Sequence, residues 1–310
     1  MSGKNILYLI VVFCLSFFEK TTAQNIPRRE FRCATAITNI ATTPFANGLL
    51  AAYGARIDVF HIRTNINMRS FEQHTSNITT IAAHPKLNRC VSADVSGEIM
   101  AWNTNDLSEV VRYQKTPSEP LLIRFAPDGN KFYVLLKNRT TLLEYSKDEA
   151  IPSNTYTISQ NIDANWEGKE DGTFLATSKM NIVSFQFKDN NLILLKKWKA
   201  NKKGLLDIKS INGKLYSLED KKVVLWDENQ KIIQTYESQD NLSSFSADKN
   251  SKFVALGASN GKISVLDAKT KTVIFQNNEN TAVRQIIFHP TEPLIIVRFD
   301  DGLVKSWILK

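Results

Sequence analysis

The sequence predicts an all-β protein built as a seven-bladed β-propeller of four-stranded antiparallel blades. Two observations carry this prediction: seven apolar anchor residues recur at nearly constant spacing, and short extended segments separated by turn residues precede each anchor. A repeat of 40–45 residues with about four strands is the signature of a propeller blade. A β-sandwich is the alternative all-β architecture, but it requires the constant spacing to be accidental.

The clearest repeat unit is residues 78–102, which ends on Trp102. One apolar run ends at His84-Pro85, a second follows it, and a third follows the turn at Gly97. Three such segments cannot bury both faces of their sheet alone, so successive units must pack against one another. The anchors of the seven units are Phe60, Trp102, Tyr145, Phe185, Trp226, Leu266 and Trp307, spaced by 42, 43, 40, 41, 40 and 41 residues.

The two ends of the repeat array predict how the ring closes. The sequence stops after the third strand of the seventh unit, which leaves that unit without an outer strand. Residues 28–34 precede the first unit and can supply it. This closure would remove an exposed strand edge, which is otherwise an aggregation liability.

The first 23 residues have the pattern of a secretory signal peptide. Lys4 precedes an apolar run over residues 6–18, and a polar segment ends at Ala23 before Gln24. The run is short for a membrane span, and an uncleaved signal anchor is the alternative. We therefore expect a single propeller domain over residues 24–310, secreted or periplasmic, with no membrane span after cleavage.

The chain is basic, with a formal net charge of +8. Removal of residues 1–23 takes away two lysines and one glutamate, which leaves 37 basic and 30 acidic side chains and a net charge of +7. Such a charge favours anionic partners, although solvated lysine-rich faces produce it equally well. Cys33 and Cys90 fall in different predicted blades, so we expect no disulfide between them.

Two motifs resemble the WD40 family of β-propellers. Trp226-Asp227 is the dipeptide that gives the family its name, and the Ser-x-Asp-x-x-Gly-x-Ile-x-x-Trp pattern over residues 92–102 resembles its commonest strand pair. The repeats are divergent, because only one Trp-Asp pair is present and Gln73-His74 replaces the family's Gly-His. The repeats also resemble bacterial propellers with a Tyr-Val-Thr-Asn motif, which Tyr133-Val134 fits.

The WD40 resemblance implies a hydrogen-bonded network of His, Ser or Thr, Asp and Trp within a blade. Here we expect at most a partial network in the second blade, from His74, Ser92 and Trp102.

Candidates for catalysis or metal binding are few. The chain has four histidines and no Gly-x-Ser-x-Gly nucleophile elbow. His84 and His289 each precede a proline at equivalent turns, and we expect both to be solvated turn residues. The acid pairs Asp300-Asp301 and Glu170-Asp171 adjoin glycines and are interpreted as turn residues. We therefore expect no catalytic residue, metal or cofactor.

Basic residues cluster on one predicted face. The resemblance implies that the loops between the second and third strands share a face with the loops joining one blade to the next. This face would be basic over blades 3 to 5 and acidic at Asp300-Asp301, which favours an anionic partner surface. Lysines collected in exposed turns for solubility are the alternative. The candidate partner-binding residues are Lys137, Arg139, Lys179, Lys202, Lys203, Lys221 and Lys222.

The sequence favours an exported, monomeric, non-catalytic scaffold that binds a protein partner, with no nucleic-acid role. The alternative is a lactonase- or dehydrogenase-like propeller enzyme with its site at the central channel. That function would require three or more titratable groups converging from the innermost strands. These strands offer mainly Ile, Phe, Ala and Trp166, with Asp207 as the exception.

Overall fold

Seven four-stranded antiparallel sheets make up the computed structural model. It describes residues 27, 29–33, 35–44, 48–64, 66–108, 110–158, 162–163, 166–168, 173–188, 191–200 and 205–309. Within these ranges the structure holds no helix long and apolar enough to cross a membrane. The predicted signal peptide and the predicted mature N-terminus at Gln24 lie outside the described residues.

Each sheet is one blade, and we call its strands a, b, c and d from the channel outward. Blade 1 contains β2(Asn39–Thr42), β3(Gly48–Tyr53), β4(Arg56–His61) and β5(Asn67–Phe71). Blade 2 contains β6(Ile78–Ala83), β7(Arg89–Asp94), β8(Ile99–Asn103) and β9(Val111–Tyr113). Blade 3 contains β10(Pro120–Phe125), β11(Lys131–Leu136), β12(Thr141–Ser146) and β13(Pro152–Thr157).

The remaining blades follow the same order. Blade 4 contains β14(Trp166–Gly168), β15(Thr173–Ser178), β16(Asn181–Lys188) and β17(Asn191–Lys199). Blade 5 contains β18(Asp207–Ile211), β19(Lys214–Leu218), β20(Lys222–Trp226) and β21(Ile232–Glu237). Blade 6 contains β22(Leu242–Ala247), β23(Phe253–Ala258), β24(Lys262–Asp267) and β25(Val273–Asn278). Blade 7 contains β26(Val283–Phe288), β27(Leu294–Phe299), β28(Leu303–Ile308) and, as its d strand, β1(Arg29–Arg32).

The repeat register predicted from the sequence is the register of the structure. All seven anchors lie on c strands and are at most 9% exposed. The b–c turns and the connections between blades share one side of the ring, here the b–c face. The a–b and c–d turns share the other side, here the a–b face.

The hydrophobic core lies between the blades. The buried apolar residues form seven clusters, and each cluster joins two neighbouring blades around the ring. The b and c strands are therefore covered on both faces, as in β11, where only Lys131 is exposed. The d strands are covered less completely. In β25, for example, the last four residues alternate between buried and exposed. This explains why the apolar pattern of the sequence alternates only in part.

The N-terminal strand closes the ring. β1 pairs antiparallel with β28, with Phe31 opposite Val304. Phe31 also stacks on Phe60 of blade 1, with ring centroids 4.0 Å apart. Arg32 donates hydrogen bonds to the backbone oxygen of Asp301 at 2.7 Å and to its carboxylate at 2.8 Å. β1 thus lies within the segment predicted to supply the outer strand of blade 7, and it ties the seventh blade to the first.

Polar side chains at one register position link the innermost strands of neighbouring blades. The Ile123 N–H donates to Thr80 Oγ1 at 3.2 Å, and the Ile286 N–H donates to Ser244 Oγ at 3.1 Å. At the closing junction the Gln285 amide accepts from the Ile40 N–H at 3.1 Å and donates to the Ile40 oxygen at 2.9 Å. These bonds satisfy backbone groups that have no partner within their own sheet.

Blade 2 contains a complete buried hydrogen-bond network, which corrects the expectation of a partial one. His74 Nδ1 lies 3.1 Å from Asp94 Oδ2, and His74 Nε2 lies 2.7 Å from Ser92 Oγ. The Trp102 indole N–H donates to the same Ser92 oxygen at 3.3 Å. Asp94 is the fourth member of the network, which sequence reasoning missed. Its second carboxylate oxygen accepts a hydrogen bond from the backbone N–H of Ser96 and thereby fixes the b–c turn.

His84 and His289 are buried at 3% and 5% exposure, so the prediction that they are solvated was wrong. His84 Nδ1 accepts hydrogen bonds from the N–H groups of Lys86 and Leu87, both at 2.9 Å. His289 Nδ1 accepts from the Glu292 N–H at 3.0 Å. Each ring thus folds back over its own His-Pro turn and satisfies backbone donors there.

Gly129 of blade 3 lies against the His84 ring. A Cβ atom at Gly129, whose φ is +82°, would come within 2.3 Å of His84 Nε2. Burial lowers the pKa of His84, and a hydrogen bond with the Gly129 backbone partly opposes this effect. The neutral ring is therefore the form that fits the folded protein.

Deletion of residues 24–36 should open the ring and lower the melting temperature. The deletion removes β1, its stacked Phe31 and the Arg32–Asp301 contacts, and it exposes the edge of β28. Differential scanning calorimetry of the deletion variant beside a protein that begins at Gln24 measures the effect. Phe31→Ala should show a smaller loss, and an unchanged melting temperature in the deletion variant would contradict this account of closure.

Acid should destabilise the protein through His84 before the carboxylates protonate. The folded-state pKa lies below the ordinary value of 6.5, so stability is fully present above pH 6.5 and falls as the pH decreases below it. One such ring contributes a slope of up to about 1.4 kcal/mol per pH unit. Chemical denaturation between pH 8 and 5 checks this. His84→Asn, whose side chain can accept the same turn hydrogen bonds, should flatten the slope, and equal slopes would refute it.

Candidate functional site

Arg139 and Lys179, two of the predicted partner-binding residues, meet on the b–c face at the junction of blades 3 and 4. Asp163, in the connection between these blades, lies between them. Its Oδ1 is 3.5 Å from Arg139 Nη1, and its Oδ2 accepts from the Lys179 backbone N–H at 3.0 Å. The Asp163 N–H in turn donates to Thr177 at 2.8 Å, which fixes the aspartate against strand b.

The other described candidates also lie on this face, each with a neighbouring acceptor. Lys137 forms an ion pair with Glu119 at 2.5 Å. Lys222 lies 3.2 Å from Glu219, and Lys221 donates to the backbone oxygen of Gln239 at 3.0 Å. Lys202 and Lys203 lie outside the described residues.

The b–c face is therefore mixed in charge over blades 3 to 5. Sequence reasoning missed all three acceptors. Glu119 and Asp163 lie in connections between blades, far in sequence from the bases they pair with, whereas Glu219 lies in the same b–c turn as Lys222, where the three-residue spacing could have found it. Over blade 7, Arg284 holds Asp300 through two hydrogen bonds of 2.7 and 2.9 Å. Exposed ion pairs of this kind contribute about 0–1 kcal/mol each, so their main effect is to orient the side chains.

Glu219 is an almost fully buried carboxylate of this face, at 1% exposure. It follows Ser217 by two residues, as Asp94 follows Ser92, and Ser217 accepts from the Trp226 indole N–H at 2.8 Å. Blade 5 thus repeats part of the blade 2 network. Burial raises the pKa of Glu219, and Lys222 opposes this effect.

Arg139 and Lys179 also have left-handed backbone conformations, with φ of 61° and 58°. The corresponding turns of other blades place glycines in this region, at Gly97, Gly261 and Gly302. A non-glycine residue with left-handed φ costs about 1–2 kcal/mol. Among the described non-glycine residues with positive φ, only these two lie on the b–c face.

The central channel carries charged residues that sequence reasoning missed. Arg124 of β10 and Lys209 of β18 line a cavity of about 610 Å³ that opens toward the a–b face. Lys209 Nζ donates to the Phe245 backbone oxygen at 2.5 Å and lies 3.8 Å from Asp207. Burial raises the pKa of Asp207, opposed by Lys209 and Arg124. In the repeat register read from the sequence, both cations fall on innermost strands. This register is therefore the signal that could have identified them.

One group of potential metal ligands occurs among the described residues: His74, Asp94 and Glu98. The first two belong to the blade 2 network, and Glu98 forms an ion pair with Arg112. Their hydrogen bonds account for the cluster as a structural element. Of the two acid pairs interpreted as turn residues, Asp300-Asp301 is held by Arg284 and Arg32. Glu170-Asp171 lies outside the described residues.

Cys33 and Cys90 are both buried free thiols. Burial, followed by the nearby Asp58 carboxylate, raises the pKa of Cys33 to about 12. Burial likewise raises the pKa of Cys90. Both thiols are thus protonated packing residues.

These features define the chain as a closed seven-bladed propeller whose turns display ordered charged groups. Residues 66–103 match the family model described as WD domain, G-beta repeat. The match covers the last strand of blade 1 and the first three strands of blade 2. The chain is thus a seven-bladed β-propeller that resembles the WD40 family in this repeat, and its other repeats are divergent.

Solved structures share the whole fold. The β-propeller domain of Cps50 (Swd1) from Myceliophteria thermophila aligns with a TM-score of 0.75 at 11% identity, over 91% of this chain and 100% of that one. Raptor from Chaetomium thermophilum aligns with a TM-score of 0.77 at 14% identity, over 93% of this chain and 29% of that one. Identities this low establish the fold alone. No curated protein sequence matches the chain.

Lys179→Gly should stabilise the protein. Glycine relieves the strain of the left-handed backbone but also raises the entropy of the unfolded state. The free energy of unfolding should therefore increase by about 0.5–1 kcal/mol. The backbone bond to Asp163 is kept. Urea denaturation measures the change, with Lys137→Gly as the control, which should lose about 0.5–1 kcal/mol because Lys137 has no such strain. A loss in both variants would contradict the strain argument.

Proposed function

We propose that this protein is an exported, non-catalytic scaffold that binds a protein partner through the b–c face at blades 3 to 5. The observation that carries the proposal is the Arg139–Asp163–Lys179 group. Two exposed basic residues occupy strained turns, and one aspartate from the connection between the blades contacts the Arg139 guanidinium and holds the Lys179 backbone. Residues held in costly conformations favour a functional role for the site.

The partner surface should be of mixed charge with an excess of acidic groups. Arg139 and Lys179 are exposed and can bind carboxylates, whereas Asp163 and Glu119 can accept from lysines or backbone N–H groups of the partner. Matching of both signs gives specificity more than affinity. The apolar start of the chain supports export, and the protein would then meet its partner outside the cytoplasm.

A second candidate function is catalysis in the central channel, and the group of Arg124, Asp207 and Lys209 favours it. These residues meet the condition of three titratable groups from innermost strands. A carboxyl group with a raised pKa beside two cations is an arrangement that can transfer protons. The scaffold remains our proposal, because Lys209 is engaged with the Phe245 backbone and thereby joins blade 5 to blade 6.

Affinity capture from the envelope and secreted fractions of the source organism tests the proposal. The mature protein should retain a specific protein that Arg139→Glu/Lys179→Glu loses, because the substitution reverses both charges. Lys269→Glu/Lys271→Glu makes the same charge change on the a–b face, and Lys271 also has a left-handed φ of 62°. That control should capture as the wild type does.

The captured protein is then purified and its Kd is measured directly. A loss of tenfold or more in the b–c variant alone supports the scaffold. Equal binding by all three proteins would refute the proposed face. No partner in either fraction, together with a substrate turned over by the wild type but not by Asp207→Asn, would favour the enzyme instead.

A further inference from the structure

We propose a second binding surface, separate from the b–c face, at the outer edge of blade 4 and the cleft between blades 4 and 5. It would take an extended segment of a partner protein that pairs with β17 as a fifth strand. One apolar side chain of that segment would enter the cleft, and its acidic residues would lie beside the lysines of β17. We call β17 and this cleft the rim site.

The edge of β17 is suited to strand addition. β17 is nine residues long, the longest described strand, and it is the terminal strand of its sheet, so one edge of its backbone is unpaired. Natural edge strands are usually short or carry charged residues that prevent association. β17 has lysines only in its second half, and its first half exposes Ile193, Leu194 and Leu195 at 44%, 37% and 47%.

A β-bulge directs Leu195 toward the cleft. The pairing of β16 with β17 shifts between Ser184 and Phe185, which leaves Leu195 without a direct partner. The same shift occurs opposite the anchors of blades 5 and 6, where the bulged residues are Ile233 and Ile274. Leu195 and Ile233 line the cleft together, one from each blade. Bulges commonly redirect side chains in this way.

The cleft has the volume and the polarity to hold a side chain and a backbone carbonyl. It measures about 480 Å³ and is lined by Trp198, Leu215 and Trp226, among others. The Trp198 indole nitrogen is buried and has no hydrogen-bond partner. A buried donor without an acceptor costs about 1–3 kcal/mol, and an incoming carbonyl or carboxylate oxygen would satisfy it.

Among the residues that the structure describes, the packing between blades 4 and 5 is also the sparsest in the ring. Among the described residues, the cluster at this junction contains the fewest buried apolar side chains of the seven. A segment bound in the cleft would add apolar contacts at the junction that has the fewest. Binding would thereby stabilise the ring as well as the segment.

Charge selects an acidic segment over a second copy of this chain. Lys196, Lys197 and Lys199 carry three positive charges, and residues 191–199 contain no acid. Two copies paired through β17 would bring six lysines together, with no acid in either paired strand. A segment with glutamates or aspartates beside an apolar residue fits both halves of the strand.

Selection of displayed random dodecapeptides on the mature protein tests the rim site. The enriched peptides should combine apolar residues with Asp or Glu and lack proline. A synthetic copy of the strongest one is then measured by fluorescence anisotropy. We expect Leu195→Lys to weaken binding at least tenfold and Trp198→Phe to weaken it several-fold. N-methylation of alternate peptide amides, which blocks strand pairing, should abolish binding.

Ile274→Lys is the matched control, because Ile274 has the same bulge position and a similar exposure of 40% but lies outside the cleft. It should bind as the wild type does. Equal weakening by both lysine variants, or full binding of the N-methylated peptide, would overturn the proposal. Two further outcomes would overturn it, both with Leu195→Lys still binding the peptide normally. In one, the variant loses a dimer that the wild type shows by sedimentation. In the other, it loses the wild type's binding to vesicles of anionic phospholipid.

Discussion

The innermost strand of each blade has one edge without a partner strand, and this constraint explains much of the structure. The edge faces the channel, where its N–H and C=O groups must find acceptors and donors or remain costly. The ring meets this need with side chains of the preceding blade, seen in Thr80, Ser244 and Gln285. At these three junctions, one blade therefore completes the hydrogen bonding of the next. Lys209 serves the same purpose through the Phe245 oxygen, which gives a cation in the channel a structural role.

Because the apolar core lies between blades and some channel-facing backbone groups bond only across them, a single blade has little stability of its own. Buried polar groups follow the same rule. Burial raises the pKa of Glu144, but hydrogen bonds from Lys131, Asn154 and Tyr156 outweigh it and hold the pKa below its ordinary value. Tyr156 belongs to the apolar cluster shared with blade 4, so this polar group forms part of the wall against which blade 4 packs. The rigid ring that results can hold turns such as those at Arg139 and Lys179 in strained conformations.

The repeat could be read from the sequence because the anchors occupy one register position and must be buried in every blade. Trp102 and Trp307 are recognisable for this reason, and the missing outer strand of blade 7 follows from counting. The pairing of Arg139 with Asp163 could not be read, since periodicity gives the strand register but not the path of a connection. The burial of His84 was missed for a similar reason. A His-Pro turn looks exposed until Gly129 of the next blade is placed over the ring.

Closure by β1 also sets an order of events in folding. Six blades are made of strands consecutive in sequence, so each can form from local hairpins soon after its residues are available. The contact between Arg32 and Asp301 instead joins residues 269 positions apart. Until β28 is synthesised, the N-terminal strand has no partner and remains an open edge that other chains can pair with. The synthesis of β28 thus ends the period in which the open edge of β1 makes the protein prone to aggregate.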